Sequence, residues 1–205
     1  MMLTFLGIAR RAAILRRFTT AVIVCGAVFL AFSACERAPA PAKGASAPRF
    51  ELKDSAGKSH GLENLRGNVV LIHFWASWCP PCLDEIPRWV AAASQFGGLP
   101  VKLVAISVDE QWPQALKVLP QANVPPNMIS LLDPESATAR AFGTTKFPES
   151  YLLDTELRIV DKWMGVVDWK SPRVRFAVSK AIIQSKKATE PSGSPPMPAP
   201  APSAR

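Results

Sequence analysis

Trp78-Cys79-Pro80-Pro81-Cys82 stands where an apolar run, Val69-Val70-Leu71-Ile72-His73-Phe74-Trp75, gives way to a helical pattern with Leu83, Ile86, Trp89, Val90 and Ala93 at helical spacing. A strand that turns tightly into a helix puts Cys79 at the helix N-terminus, beside free backbone N–H groups and the positive end of the macrodipole. Proline suits the first helical turn, since its missing N–H would have had no intrahelical partner, so Pro80 and Pro81 fit directly after Cys79. They also remove two donors, which leaves the backbone N–H and the S–H of Cys82 as the first groups able to turn toward the Cys79 sulfur. Dipole and hydrogen bonds together predict a lowered pKa for Cys79, the attacking thiolate, with Cys82 one turn deeper to resolve a mixed disulfide. The expected chemistry is reversible dithiol-disulfide exchange. A zinc site would need further Cys or His ligands, and His60 and His73 are the only histidines. A static disulfide closing so small a loop would add little loop-closure entropy.

The ends of the chain read differently from its middle. Residues 1–20 carry Arg10, Arg11, Arg16 and Arg17 and no acidic residue, and an apolar run from Ala21 to Phe32 leads to Ser33-Ala34-Cys35. That is the pattern of an export signal over residues 1–34, too short in its apolar part for a comfortable membrane span. The stretch Phe32-Ser33-Ala34-Cys35 looks like the lipobox of bacterial lipoproteins, with Phe32 where leucine is usual, so Cys35 is the expected lipidation site. Cleavage after Ala34 without lipid, or retention of the segment as a signal anchor, are the alternatives. Each puts the domain in the bacterial cell envelope outside the cytoplasm, facing the periplasm or exterior; with Cys25 discarded and Cys35 lipidated, Cys79 and Cys82 are the only thiols left. Removing the four arginines takes the formal charge from +8 to +4. The remaining basic residues form no aromatic-basic stripe, so no nucleic-acid partner is expected.

Residues 35–47, rich in Ala, Pro, Lys, Gly and Ser, read as a flexible tether. An N-terminal hairpin comes next, with Asp54-Ser55-Ala56-Gly57-Lys58 as its turn and His60 as an exposed loop residue. The unalternating strand 69–75 predicts a central position covered on both faces. A helix from Pro80 to about Phe96 should kink at Pro87 and end at Gly97-Gly98. Further elements are expected as a strand over 101–108, a helix from Asp109–Trp112 to about Gln121, a strand over 128–132 and a helix over 134–142. Strands over 151–154 and 159–164 should form a hairpin, before a last helix from Ser171 or Pro172 to about Lys187. The order predicts an α/β domain over 48–187, a mixed central sheet flanked by helices, with a disordered Pro-rich tail over 188–205.

Phe74-Trp75-Ala76-Ser77-Trp78-Cys79-Pro80-Pro81-Cys82, Pro87 and Phe147-Pro148-Glu149-Ser150-Tyr151-Leu152-Leu153-Asp154 together resemble a thioredoxin-like fold. The Cys82 to Pro87 spacing and the preceding hairpin are similar to the membrane-tethered ResA, CcmG and TlpA group of the AhpC/TSA-Redoxin superfamily. The resemblance implies that Pro148 is a cis-proline packed against the dithiol, with Trp78, Phe147 and Pro148 forming the substrate-binding edge. It implies acid-base work at the second cysteine for Glu85, on the same helical face one turn on. Thioredoxin itself carries a buried aspartate where this chain has His73, which either relays protons, becoming cationic to depress the Cys79 pKa, or is a neutral core residue.

The same resemblance implies an exported, lipid-anchored thiol-disulfide oxidoreductase, a monomer without cofactor or metal. Cys79, Cys82 and Glu85 would be its catalytic residues. It would take electrons from a membrane dithiol donor and reduce a disulfide-bearing protein substrate such as apocytochrome c. A thiol peroxidase on the same fold is the nearest alternative. A copper-binding module is another, although no histidine comes after Cys82.

Overall fold

The computed structural model describes residues 40–119 and 124–189. Cys35 and the signal segment, most of the tail, and the end expected for the helix near Gln121 lie outside the described residues. Seven strands form one sheet in the order β2-β1-β5-β4-β3-β6-β7. They are β1 (Glu51–Lys53), β2 (Ser59–Gly61), β3 (Val69–Trp75), β4 (Val101–Ser107), β5 (Met128–Leu132), β6 (Glu149–Leu153) and β7 (Ile159–Met164). The helices are α1 (Pro80–Gln95), α2 (Trp112–Ala115), α3 (Ala137–Ala141) and α4 (Pro172–Thr189), with a 3-10 turn over Leu62–Leu65.

The expected mixed α/β sheet with its N-terminal hairpin is present. β3 pairs parallel with β4 and antiparallel with β6, and every residue of β3 is buried. A strand buried on both faces has no solvent side to alternate with, which is why its sequence reads as an unbroken apolar run. β4 also pairs parallel with β5, and the β1–β2 hairpin joins β5 through Lys53 and Leu132.

Several boundaries differ from the sequence reading, each for a local reason. The helix expected to reach about Gln121 is regular only over Trp112–Ala115, and Pro120 in the sequence disfavours helical backbone at the residue before it. The helix expected from Pro134 begins at Ala137, because the Asp133 carboxylate accepts from the N–H groups of Thr138 (3.2 Å) and Ala139 (2.9 Å) and so sets its first turn. α1 runs unbroken through Pro87, and its buried side is Cys82, Glu85, Ile86, Trp89, Ala92 and Ala93; Leu83 falls outside that stripe, on the exposed side. His60 belongs to β2 rather than to an exposed loop, with Nε2 2.8 Å from Asp54 Oδ2.

The segment expected to be a tether through residue 47 is bound to the domain well before that point. Gly44 N–H donates to the Ile159 carbonyl (2.7 Å), Ile159 N–H to that of Ala45 (2.9 Å) and Ala47 N–H to that of Leu157 (2.9 Å), with Ser46 bridging Arg158. Lys43 pairs with Asp161. These bonds cover the start of the outer edge of β7, which would otherwise present unpaired backbone groups there. Ala40 packs so closely on Gly143 that a Cβ there would overlap it, and Gly143 has a φ of 73°, so glycine is required on both counts.

Candidate active site

Parallel pairing of β3 with β4 aligns Trp75 with Ser107, so the turns leaving the two strands are neighbours. This is the carboxyl end of a parallel pair, a common place for sites in α/β sheets. Asp109, just past β4, holds the turn after β3. Its carboxylate accepts from Ser77 N–H (3.1 and 3.2 Å), Ser77 Oγ (2.8 Å) and Ser107 Oγ (2.6 Å). Cys79 then opens α1 with extended backbone, and Pro80 takes the first helical position.

Cys79 and Cys82 form a disulfide, with Cα atoms 5.3 Å apart. Cys79 is 5% exposed and Cys82 fully buried, so an incoming sulfur meets Cys79 first. In this oxidised state the Cys82 N–H donates to the Cys79 carbonyl (2.9 Å), not to sulfur, the partner expected from the sequence. The helix dipole acts at Cys79 here, while the S–H of Cys82 is a donor only in the reduced pair.

The Phe147–Pro148 peptide bond is cis. The Pro148 carbonyl accepts from Gly165 N–H (2.9 Å), while among the described residues none bonds the N–H or carbonyl of Phe147. Phe147 meets Trp78 edge to face, with ring centroids 5.8 Å apart, and Trp78 is 62% exposed. Met164, opposite Glu149 in the β6–β7 register, and Val166 are also exposed. Behind Pro148, Glu149 is buried, paired with Lys162 (3.0 Å) and 3.0 Å from the Tyr151 hydroxyl.

Glu85 is completely buried. Oε1 accepts from Val167 N–H (3.1 Å) and Trp169 Nε1–H (2.7 Å), whereas Oε2 has no partner. Burial pushes its pKa up to about 7 against the opposing pull of those two donors and of Arg88. A carboxyl poised there can hold or accept a proton at neutral pH. His73 is also fully buried. Nδ1 lies 2.9 Å from Ser150 Oγ, Nε2 has no partner, and the ring stacks on Trp89 at 4.8 Å. Burial alone takes its pKa down to about 3, so in this oxidised state His73 is neutral at physiological pH, the core-residue alternative and not the cationic one.

Trp78, next to Cys79, meets Phe147, and the β3–β6 register that pairs Phe74 with Glu149 brings the cis Pro148 to the end of β3 from which Cys79 follows; Glu85 lies one turn along α1 from Cys82. His73 is linked to Glu85 through Trp169, whose ring it meets edge-on at 6.2 Å. Sequence reasoning missed Val167, Trp169 and Asp109. The first two come from the loop before α4, far from Glu85 in the chain, and no local pattern announces them.

A sheet of this order, whose buried central strand delivers a Cys-Pro-Pro-Cys disulfide to a helix start, is that of the thioredoxin-like thiol-disulfide oxidoreductases. The chain belongs to the AhpC/TSA family, whose model matches residues 43–162. It is similar to the thiol-disulfide oxidoreductase ResA of Bacillus subtilis, at 29% identity over 125 residues, covering 61% of this chain and 69% of that protein. It is also similar to the thiol:disulfide interchange protein DsbE of Allochromatium vinosum, at 32% identity over 132 residues, covering 63% and 71%. Among solved structures, a thioredoxin-family thiol:disulfide interchange protein from Chlorobium tepidum aligns with a TM-score of 0.56 and 26% identity, over 70% of this chain and 99% of that one. The thioredoxin domain of a Bacteroides vulgatus thiol-disulfide oxidoreductase shares the fold, with a TM-score of 0.58 and 23% identity over 70% and 99%. The protein is a thiol-disulfide oxidoreductase.

Proposed function

We propose that the protein is exported, lipid-anchored through Cys35, and reduces disulfides of extracytoplasmic proteins in a role like that of cytochrome c maturation. The Cys79 thiolate attacks a substrate disulfide, forming a Cys79–substrate bond and releasing one substrate thiolate. Cys82 gives its proton to Glu85 and attacks Cys79 Sγ, which releases the second substrate thiolate and leaves the Cys79–Cys82 disulfide. Two electrons pass to the substrate, and a membrane dithiol returns them. Trp78, Phe147 and Pro148 line the approach, and the unbonded backbone of Phe147 supplies an edge for an extended peptide.

The observation that carries this reading is the graded burial of the pair, with Cys79 5% exposed and Cys82 fully buried, one helical turn before a carboxyl raised to about 7. Acid trapping and alkylation of the full chain in cells tests it. A pair found reduced in growing cells, and a Cys82→Ser variant that accumulates mixed disulfides with exported proteins, are the expected results. A pair that is oxidised in cells, with a potential near that of strong oxidases, overturns the reductant assignment.

A further inference from the structure

The outward side of α4 belongs to no part of the disulfide chemistry. From Lys170 to Thr189 the sequence carries Lys170, Arg173, Arg175, Lys180, Lys186 and Lys187 and not one acidic residue. The inward side of the helix, Val174, Val178 and Ala181, is buried against the domain. On the outward side Phe176 is 71% exposed and Ile183 65% exposed. Seven residues apart, these two share one face of the helix, two turns from each other. Arg173, three before Phe176, and Lys180, four after it, flank that ridge, and Arg175 stands beyond it; all three are exposed.

Two large apolar side chains kept in water cost free energy unless something covers them, and a helical ridge whose charged neighbours are all cations selects an occupant that is apolar within and anionic at its surface. A second copy of this helix would bring like charges together. No helix among the described residues is long and apolar enough to cross a membrane, so a contact of α4 with a bilayer would be interfacial.

We propose that the outward face of α4 lies on an anionic phospholipid surface, with Phe176 and Ile183 entering the headgroup boundary and Arg173, Arg175 and Lys180 meeting lipid phosphates. The contact is separate from acylation of Cys35. Basic residues on a domain held at an anionic bilayer add electrostatic attraction to its surface. It would also fix which side of the domain faces the bilayer.

The test uses the full chain, reconstituted into vesicles of equimolar phosphatidylethanolamine and phosphatidylglycerol, with photoreactive p-benzoylphenylalanine in place of Phe176 and, as a control, in place of exposed Leu99. Lipid adducts at position 176 are expected to exceed those at 99 by at least about tenfold. They should fall by a similar factor in phosphatidylcholine vesicles, in high salt, or with Arg173→Glu, Arg175→Glu and Lys180→Glu combined. Equal adducts at both positions would mean that the chain is merely tethered near the bilayer, and crosslinking of position 176 to a second copy would mean a protein interface. Either result overturns the proposal and leaves the disulfide chemistry untouched.

Discussion

Glu85 and Trp169 are joined by a 2.7 Å hydrogen bond from the indole Nε1–H to Oε1, across 84 positions of sequence. The same indole ring packs on Trp89 at 4.6 Å and meets His73 edge-on. One side chain from the loop before α4 thereby sets the surroundings of both buried ionisable groups below the disulfide. The opposed shifts of those groups, Glu85 up to about 7 and His73 down to about 3, have burial as their largest cause. Burial penalises whichever form is charged, so an acid and a base move in opposite directions.

If Glu85 takes the Cys82 proton, Glu85→Gln slows resolution of the mixed disulfide by about a hundredfold. Alkylation of Cys79 in the reduced protein should be nearly unchanged. Rapid-quench mass spectrometry with a small disulfide peptide separates the two steps, and in the wild type the second should quicken as pH rises through about 7. Equal slowing of both steps would mark Glu85 as a packing residue.

Stability against pH should show two opposed slopes in the oxidised protein. Glu85 binds its proton more tightly folded than unfolded, so its contribution favours the folded state below about 4.5 and is lost as pH rises to about 7. His73 binds its proton more weakly when folded, so its contribution is complete above about 6.5 and is lost as pH falls toward about 3. Each slope is about 1.4 kcal/mol per pH unit at most, and they oppose each other over the range where they overlap. Urea unfolding across pH should therefore show His73→Asn and Glu85→Gln changing the profile in opposite senses. The alkylation profile of Cys79 should not move in His73→Asn, since the histidine is neutral throughout.

Trp169→Phe removes a donor that favours the charged carboxylate, so the Glu85 titration should move above 7. The same change opens space among Trp89, Trp163 and His73, and a loss of about 2 kcal/mol is expected in chemical denaturation. Infrared difference spectra of the carboxyl band, taken against Glu85→Gln, would track the shift directly.

Lys162→Met leaves Glu149 buried without its cation, directly after Pro148, and should cost about 3 kcal/mol. Adding Glu149→Gln should recover most of that loss, a coupling that a double-mutant cycle measures. Additive losses would show that the pair is too hydrated to matter.

The strands, the helix start at Cys79 and the position of Pro148 were open to reading because each leaves a local mark: an unbroken apolar run, a proline pair, a short motif at a strand entrance. Helix ends were read less well. Ala137 begins α3 because the Asp133 carboxylate reaches two N–H groups beyond it, a bond that periodicity does not reveal. Glu85 and His73 could be named from their spacing to the cysteines, but not their states. Those depend on Val167, Trp169, Ser150 and Trp89, which meet only when β6, α1 and the loop before α4 are assembled around β3. Asp109 escaped notice for the same reason, since its partner Ser77 becomes a neighbour only through the parallel register of β3 and β4.

The docking of residues 43–47 along β7 also bears on geography. Each residue clamped there is subtracted from whatever leash precedes it, and five residues at about 3.3 Å apiece amount to about 17 Å of lost range. Under the anchoring proposed at Cys35, the shortened lead would keep the catalyst close to its mooring, and its clients would have to come to it.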